Sequence, residues 1–78
     1  MYTFKVGDLI TGRPGAPYAI TNKDSVCEIL STREGFYEDL SVRLVSHKEY
    51  KEALGTVYGV SSCFFTIHKE TNNFRRGN

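Results

Sequence analysis

Cysteine and histidine are the side chains of this sequence that could bind a transition metal, at Cys27, His47, Cys63 and His68. A structural zinc site combines thiolate and imidazole ligands, and its cysteines commonly stand with about two to four residues between them. The two cysteines here lie far apart in the chain, so their spacing does not predict a metal centre. We expect two reduced, buried thiols, no metal and no cofactor.

Ser46 and His47 place a hydroxyl next to an imidazole, the first two parts of a nucleophilic site. Such a site also needs a third group that orients the base, and helix capping explains Ser46 without any catalytic role. The glycines at positions 12 and 15 precede a loop and not a helix, which argues against a phosphate-binding loop. We therefore predict that the protein is not an enzyme and has no catalytic residues.

Basic side chains are concentrated in the first and last parts of the chain, although the formal net charge is only +1. If folding brings these parts together, they form a positive face that could follow a phosphate backbone, with aromatic rings to stack on bases. The predicted nucleic-acid-binding residues are Arg13, Tyr18, Lys23, Tyr58, Lys69, Arg75 and Arg76. The alternative is that the tyrosines are structural and the charges form an ordinary solvated face.

The middle of the chain is acidic and carries a second candidate site. Residues 34–39, Glu-Gly-Phe-Tyr-Glu-Asp, are predicted to connect two strands, and we call them the hairpin tip. Two aromatic residues at a loop end are rarely there for a core, so Phe36, Tyr37, Glu38 and Asp39 are predicted to bind a protein partner. The alternative is a tip that folds back over the domain. Acid–base catalysis is not expected, because no pocket is predicted around these carboxylates.

Alternating apolar and polar residues predict that most of the chain forms β-strands. The predicted strands are residues 2–6, 9–12, 25–33, 40–46, 56–60 and 63–69. In the clearest of them, Leu40, Val42 and Leu44 share one face. Pro14 and Gly15 suit the centre of a type II turn that opens a long loop.

Residues 46–54 carry the one helix signal of the sequence. Ser46 and Glu49 have the spacing of a capping box, and Gly55 suits the position just after a helix. The predicted helix has about two turns, so it would depend on packing for its stability.

Several segments together resemble the small SH3-like barrels of the KOW and translation-protein SH3-like type, which also occur in short accessory proteins of tailed bacteriophages. The segments are Phe4-Lys5-Val6-Gly7-Asp8, the long loop with proline and glycine, Leu40-Ser41-Val42-Arg43, and the closing Ser-Ser-Cys-Phe-Phe. The resemblance implies a mainly β fold: an SH3-like, partly open five-stranded barrel with one short α-helix over residues 1–69. Residues 70–78 are then a polar, flexible tail.

The resemblance also implies a non-enzymatic binding module, a phage accessory protein that associates with nucleic acid or the host transcription machinery. The alternative is a module that inhibits or recruits a host protein through the hairpin tip. No run of about 18 apolar residues predicts a membrane span, and the first residues do not resemble a signal peptide. We expect a cytoplasmic protein, in the host cytoplasm if phage-encoded, that is a monomer or a weak homo-oligomer.

Overall fold

The computed structural model describes residues 4–68 as five antiparallel strands in one sheet that does not close on itself. The strands are β1 (Leu9–Gly12), β2 (Ser25–Thr32), β3 (Leu40–His47), β4 (Val57–Val60) and β5 (Phe65–Ile67). Their order across the sheet is β4-β3-β2-β1-β5, so β4 and β5 form its two edges. The prediction of a mainly β domain is confirmed, whereas the predicted boundary at residue 69 and the tail at 70–78 lie outside the described residues.

The core follows from the period of two in the central strands. Burial alternates over residues 25–29 of β2 and 40–44 of β3, where every second residue is buried and those between them are more accessible. The buried apolar side chains are Ile10, Cys27, Ile29, Leu40, Val42, Leu44, Val60 and Phe65. Burial of each large side chain in this set stabilises the fold by about 1.5–3 kcal/mol before conformational entropy is subtracted. The stability of the sheet therefore depends on the face that carries these side chains.

A long loop, residues 13–24, crosses from β1 to β2 and is fixed at both ends. The Ala16 amide donates to the Arg13 carbonyl at 3.0 Å, and Gly15 has a φ of +88°, as the predicted type II turn requires. Farther along, Tyr18 and Ile20 pack against the core as half-buried side chains. The loop therefore covers one side of the sheet.

The predicted α-helix at residues 46–54 is wrong: residues 4–68 contain only short 3-10 turns, of which one spans Lys51–Ala53. Strand β3 continues to His47, and Ser46 is exposed without a capping role. Instead, the buried His47 ring holds the chain that follows β3, since its Nδ1 atom accepts from the amides of Glu49 at 2.9 Å and Tyr50 at 3.1 Å. The 3-10 turn itself has no side-chain cap. A two-turn helix has a costly nucleus, and these local hydrogen bonds to the His47 side chain compete with its formation.

Both ends of the described chain differ from the predicted strands. Residues 5–8 form a turn in which the Asp8 amide donates to the Lys5 carbonyl, and Gly7 takes a φ of +95°. A second 3-10 turn, Ser62–Phe64, stands where the closing strand was expected to begin. Cys63 lies in this turn and is exposed, so its predicted burial is wrong. The turn interrupts the alternation that had placed Cys63 on the buried side.

Candidate functional site

The thiols and imidazoles do not come together as a metal centre. Residues 4–68 contain no group of three or more histidine, cysteine, aspartate or glutamate side chains placed to hold a metal ion. Cys27 is buried in the core, whereas Cys63 is on the surface. Burial raises the pKa of the Cys27 thiol to about 11, and a hydrogen bond from the thiol to the Ser25 hydroxyl opposes this only in part. Cys27 therefore stays protonated and behaves as an apolar core residue.

His47 has a structural role that occupies both of its ring nitrogens. Because Nδ1 accepts two backbone amides, the ring proton is on Nε2, which donates to the Ile20 carbonyl at 2.9 Å. The ring also packs edge-on against Tyr50. No nitrogen is left to act as a base for the neighbouring Ser46, so His47 has a structural role and the pair does not form a nucleophilic site.

The predicted basic face is described only in part. Lys69, Arg75 and Arg76 lie outside the described residues. The Nε atom of Arg13 donates to the Phe65 carbonyl at 3.2 Å, and Lys23 is paired with Asp24 at 3.4 Å. Both cations have partners within the domain, although the Lys23 pair is exposed and weak. Nucleic-acid binding by this set stays a prediction.

The two tyrosines predicted to stack on bases contribute to the packing of the domain. The Tyr18 hydroxyl accepts from the Ser61 amide at 2.9 Å, and its ring contacts Phe64 and Phe65 with ring centroids 5.8 and 5.9 Å away. Tyr58 is half-buried and packs against the core from β4. Tyr18 thus joins the long loop to the connection between β4 and β5.

The hairpin tip projects its aromatic residues into solvent. Its base is closed by the Arg33 amide, which donates to the Asp39 carbonyl at 2.8 Å, and Gly35 turns the chain with a φ of +91°. Phe36 is 59% exposed and Tyr37 is 75% exposed. The Arg33 guanidinium lies 5.2 Å from the centre of the Phe36 ring, which orients that ring by a cation–π contact. The two aromatic rings are therefore exposed and do not cover the core, although the tip lies against the outer face of the sheet.

Asp39 fixes the hairpin tip to the rest of the structure. Its carboxylate accepts from the Ser62 amide at 2.8 Å and from the Ser62 hydroxyl at 2.7 Å. The neighbouring Ser61 hydroxyl donates to the Tyr37 carbonyl. Asp39, predicted to contact a partner, therefore acts within the domain as a residue that positions the tip.

A pocket of about 300 Å³ lies between the hairpin tip and the outer face of the sheet, and we call it the outer pocket. Its lining residues are Arg33, Phe36, Tyr37, Glu38, Ser41 and Gly59. Within residues 4–68, the exposed Glu38 carboxylate makes no hydrogen bond or ion pair. The pocket therefore combines exposed aromatic rings with one carboxylate that has no partner.

A second pocket, about 230 Å³, opens on the other face of β4, between that strand and the long loop. Its lining residues are Tyr18, Ala19, Ile20, Thr21, Tyr58, Gly59 and Val60. We call it the inner pocket, and most of its walls are apolar or aromatic. This pocket was not predicted from the sequence, although a glycine within the short apolar strand Val57–Val60 marks a place of close backbone approach.

Comparisons with protein-family models, with curated proteins and with solved structures found no match to this chain. Within residues 4–68, no helix is long and apolar enough to cross a membrane. The candidate site consequently rests on the geometry of the hairpin tip and of the two pockets beside it.

Proposed function

We propose that this protein is a non-enzymatic module that binds a protein partner through its hairpin tip. The observation that carries the proposal is the exposure of two adjacent aromatic side chains, Phe36 and Tyr37, beside the outer pocket. Aromatic residues are enriched at binding hot spots because they bury a large area and have few rotatable bonds to order. Burial of each ring by a partner would contribute about 1.5–3 kcal/mol.

The base of the tip is rigid, which favours binding over a purely solvated loop. Asp39 and the Tyr37 carbonyl are held by the Ser61 and Ser62 side chains, and the tip closes on its own backbone hydrogen bond at Arg33. A preorganised loop loses less conformational entropy when it binds. These contacts explain how a small domain could present two apolar rings to solvent in a fixed position.

An SH3-like, partly open barrel is part of this proposal, and the connection between the two sheet edges supports it. In a flat sheet, β4 and β5 would lie about 19 Å apart, since four spacings of about 4.8 Å separate them. Only residues 61–64 join them, and part of that connection is the compact 3-10 turn Ser62–Phe64. Such a turn rises about 2 Å per residue, so the sheet must curve to bring its edges near each other.

In the setting that the SH3-like resemblance implies, the partner is a host protein that the module inhibits or recruits. Protein binding ranks above nucleic-acid binding because Arg13 and Lys23 have partners within the domain, whereas Phe36 and Tyr37 have their rings exposed. Among the large hydrophobic side chains of residues 4–68, Tyr37 has the highest exposed fraction, and it lies in the acidic part of the chain.

Partner capture by immobilised protein tests the proposal. We expect Phe36→Ala with Tyr37→Ala to abolish recovery of a specific protein from lysate of the native cells, with a melting temperature within about 2 °C of the wild type. Leu54→Ala is the matched control, because it removes another exposed apolar side chain, 45% exposed, beyond the opposite end of β3. Equal capture by the double variant and the wild type would contradict the proposal.

A further inference from the structure

Strand β4 is an edge with backbone groups available for pairing. Among residues 4–68 it pairs with β3 alone, through Arg43↔Val57 to Leu40↔Val60. No backbone hydrogen bond from another described segment reaches Val57–Val60. The outward-facing amides and carbonyls of such an edge are a template for an added strand. Val57 and Gly59 are exposed, so the first part of this edge is open to solvent.

The two pockets lie on opposite faces of this edge and meet at Gly59. Gly59 is paired with Ser41 on the outer face, where both line the outer pocket. Tyr58 and Val60 face the core side, where they line the inner pocket. Successive side chains of a β-strand point to opposite faces. A strand added beside β4 would therefore direct neighbouring side chains into the two pockets in turn.

The lining of each pocket indicates the side chain that it would accept. In the outer pocket, a cation is favoured by the Tyr37 ring and by the Glu38 carboxylate, which has no partner among residues 4–68. The Arg33 guanidinium in the same pocket lies over Phe36 and forms no ion pair with Glu38. Residues 33–39 hold one basic and three acidic side chains, so the surface remains complementary to a positive partner. The walls of the inner pocket favour an apolar side chain.

We propose that the partner adds an extended segment to the open edge of β4, with an arginine or lysine side chain in the outer pocket and the adjacent apolar side chain in the inner pocket. This inference rests on the proposed function and specifies the chemistry of the bound segment. Main-chain hydrogen bonds to β4 supply affinity, and the two pockets supply specificity, as in other cases of strand addition.

Backbone NMR of the isotope-labelled full chain tests the inference with two capped hexapeptides. One is acetyl-Thr-Thr-Arg-Val-Thr-Thr-amide, and the matched control replaces its arginine by glutamate. We expect the arginine peptide to shift the amide signals of Val57–Val60 together with those of Tyr37 and Glu38. The glutamate peptide should bind about tenfold more weakly, because it places two carboxylates together.

Two single variants separate the pocket from general electrostatic attraction. Glu38→Gln should weaken binding of the arginine peptide about two- to fivefold, as loss of one exposed ion pair would. Glu52→Gln removes the same charge beyond the opposite end of β3 and should leave the affinity unchanged. Equal effects of the two variants would overturn the inference.

Three other results would also overturn it. Shifts confined to the hairpin tip, with the β4 amides unmoved, would exclude strand addition and leave the proposed function intact. No shift at millimolar peptide would exclude this class of segment. The proposed function is tested separately, by whether capture survives the loss of Phe36 and Tyr37. If sedimentation shows a dimer, and β4 of one copy pairs with β4 of the other in that dimer, the edge is occupied by a second copy of the chain.

Discussion

The carboxylate of Glu38 lies over Gly59, with its Oε1 atom 3.0 Å from the point where a Cβ on residue 59 would stand. The absence of a side chain at position 59 lets the hairpin tip approach the edge strand this closely. Because Gly59 has no side chain, the backbone of β4 at this position lines both pockets. This relationship connects the tip to the edge and makes position 59 the most informative place for substitution.

Gly59→Ala should fold normally but bind its partner less well. The added methyl meets only the end of the flexible Glu38 side chain, so the free energy of unfolding should change by less than about 1 kcal/mol. The displaced carboxylate should then weaken binding of the arginine hexapeptide several-fold. Urea unfolding and the NMR titration measure the two effects, and an unchanged affinity would contradict the role of this contact.

Gly12→Ala should destabilise the fold, in contrast to the same substitution at Gly59. A Cβ at position 12 would stand 2.6 Å from the backbone carbonyl carbon of Asn22, which cannot move without shifting the loop. Overpacking against a fixed group costs about 1–3 kcal/mol. Urea unfolding of the two alanine variants side by side checks the prediction, and equal stabilities would contradict the close approach of β1 to the loop.

His47→Ala should cost about 2–4 kcal/mol of stability. It leaves a cavity at a buried position and removes the acceptor for two backbone amides and the donor to Ile20. Lys48→Ala is the control, because its side chain is 80% exposed and makes only a long ion pair with Asp24. Thermal unfolding distinguishes the variants. A similar small effect for both would show that the hydrogen bonds of the His47 ring contribute little to stability.

The two thiols should differ sharply in reactivity. At pH 8 a thiol reagent should modify Cys63 quickly and Cys27 only after unfolding, since one is exposed and the other buried. With a chromogenic reagent that releases a coloured group on reaction with a thiol, the absorbance should report one reactive thiol per native chain and two per chain in denaturant. Two rapid reactions in the native protein would contradict the buried position of Cys27.

The pKa of Cys27 also predicts a pH dependence of stability. Its thiol has a folded pKa of about 11 against an ordinary value of 9.0, so folding favours the protonated form. This contribution is fully present below about pH 9 and is lost as the pH rises through 11. The stability difference between the wild type and Cys27→Ala should shrink over that interval, and a constant difference would contradict the shift.

The strands that carry the core could be predicted from sequence because their signal is local. Leu40, Val42 and Leu44 alternate with more accessible residues as their types indicated, and Glu28 reaches the solvent side, where it pairs with Arg43 at 2.8 Å. The Pro14-Gly15 turn also follows from conformational limits of single residues. These features need no knowledge of distant contacts.

The features that were missed depend on contacts between distant parts of the chain. The apparent capping box at Ser46 failed because His47 is buried against the Ile20 carbonyl, 27 positions earlier. Asp39 was predicted to contact a partner, and its carboxylate is bound to Ser62, which follows the neighbouring strand β4. The exposure of Phe36 and Tyr37 was predicted from their place at a loop end. The inner pocket could not be predicted, because its walls form only when the long loop packs beside β4.

Site-specific photocrosslinking tests the central claim most directly, because it reports which part of the surface touches a partner. A photoreactive phenylalanine would replace Tyr37 in one variant and Leu54 in a second, and both would be irradiated in lysate of the native cells. We predict a discrete protein adduct from position 37 that is absent from position 54. Nucleic-acid adducts alone, or the same protein adducts from both positions, would contradict binding of a protein partner at the hairpin tip.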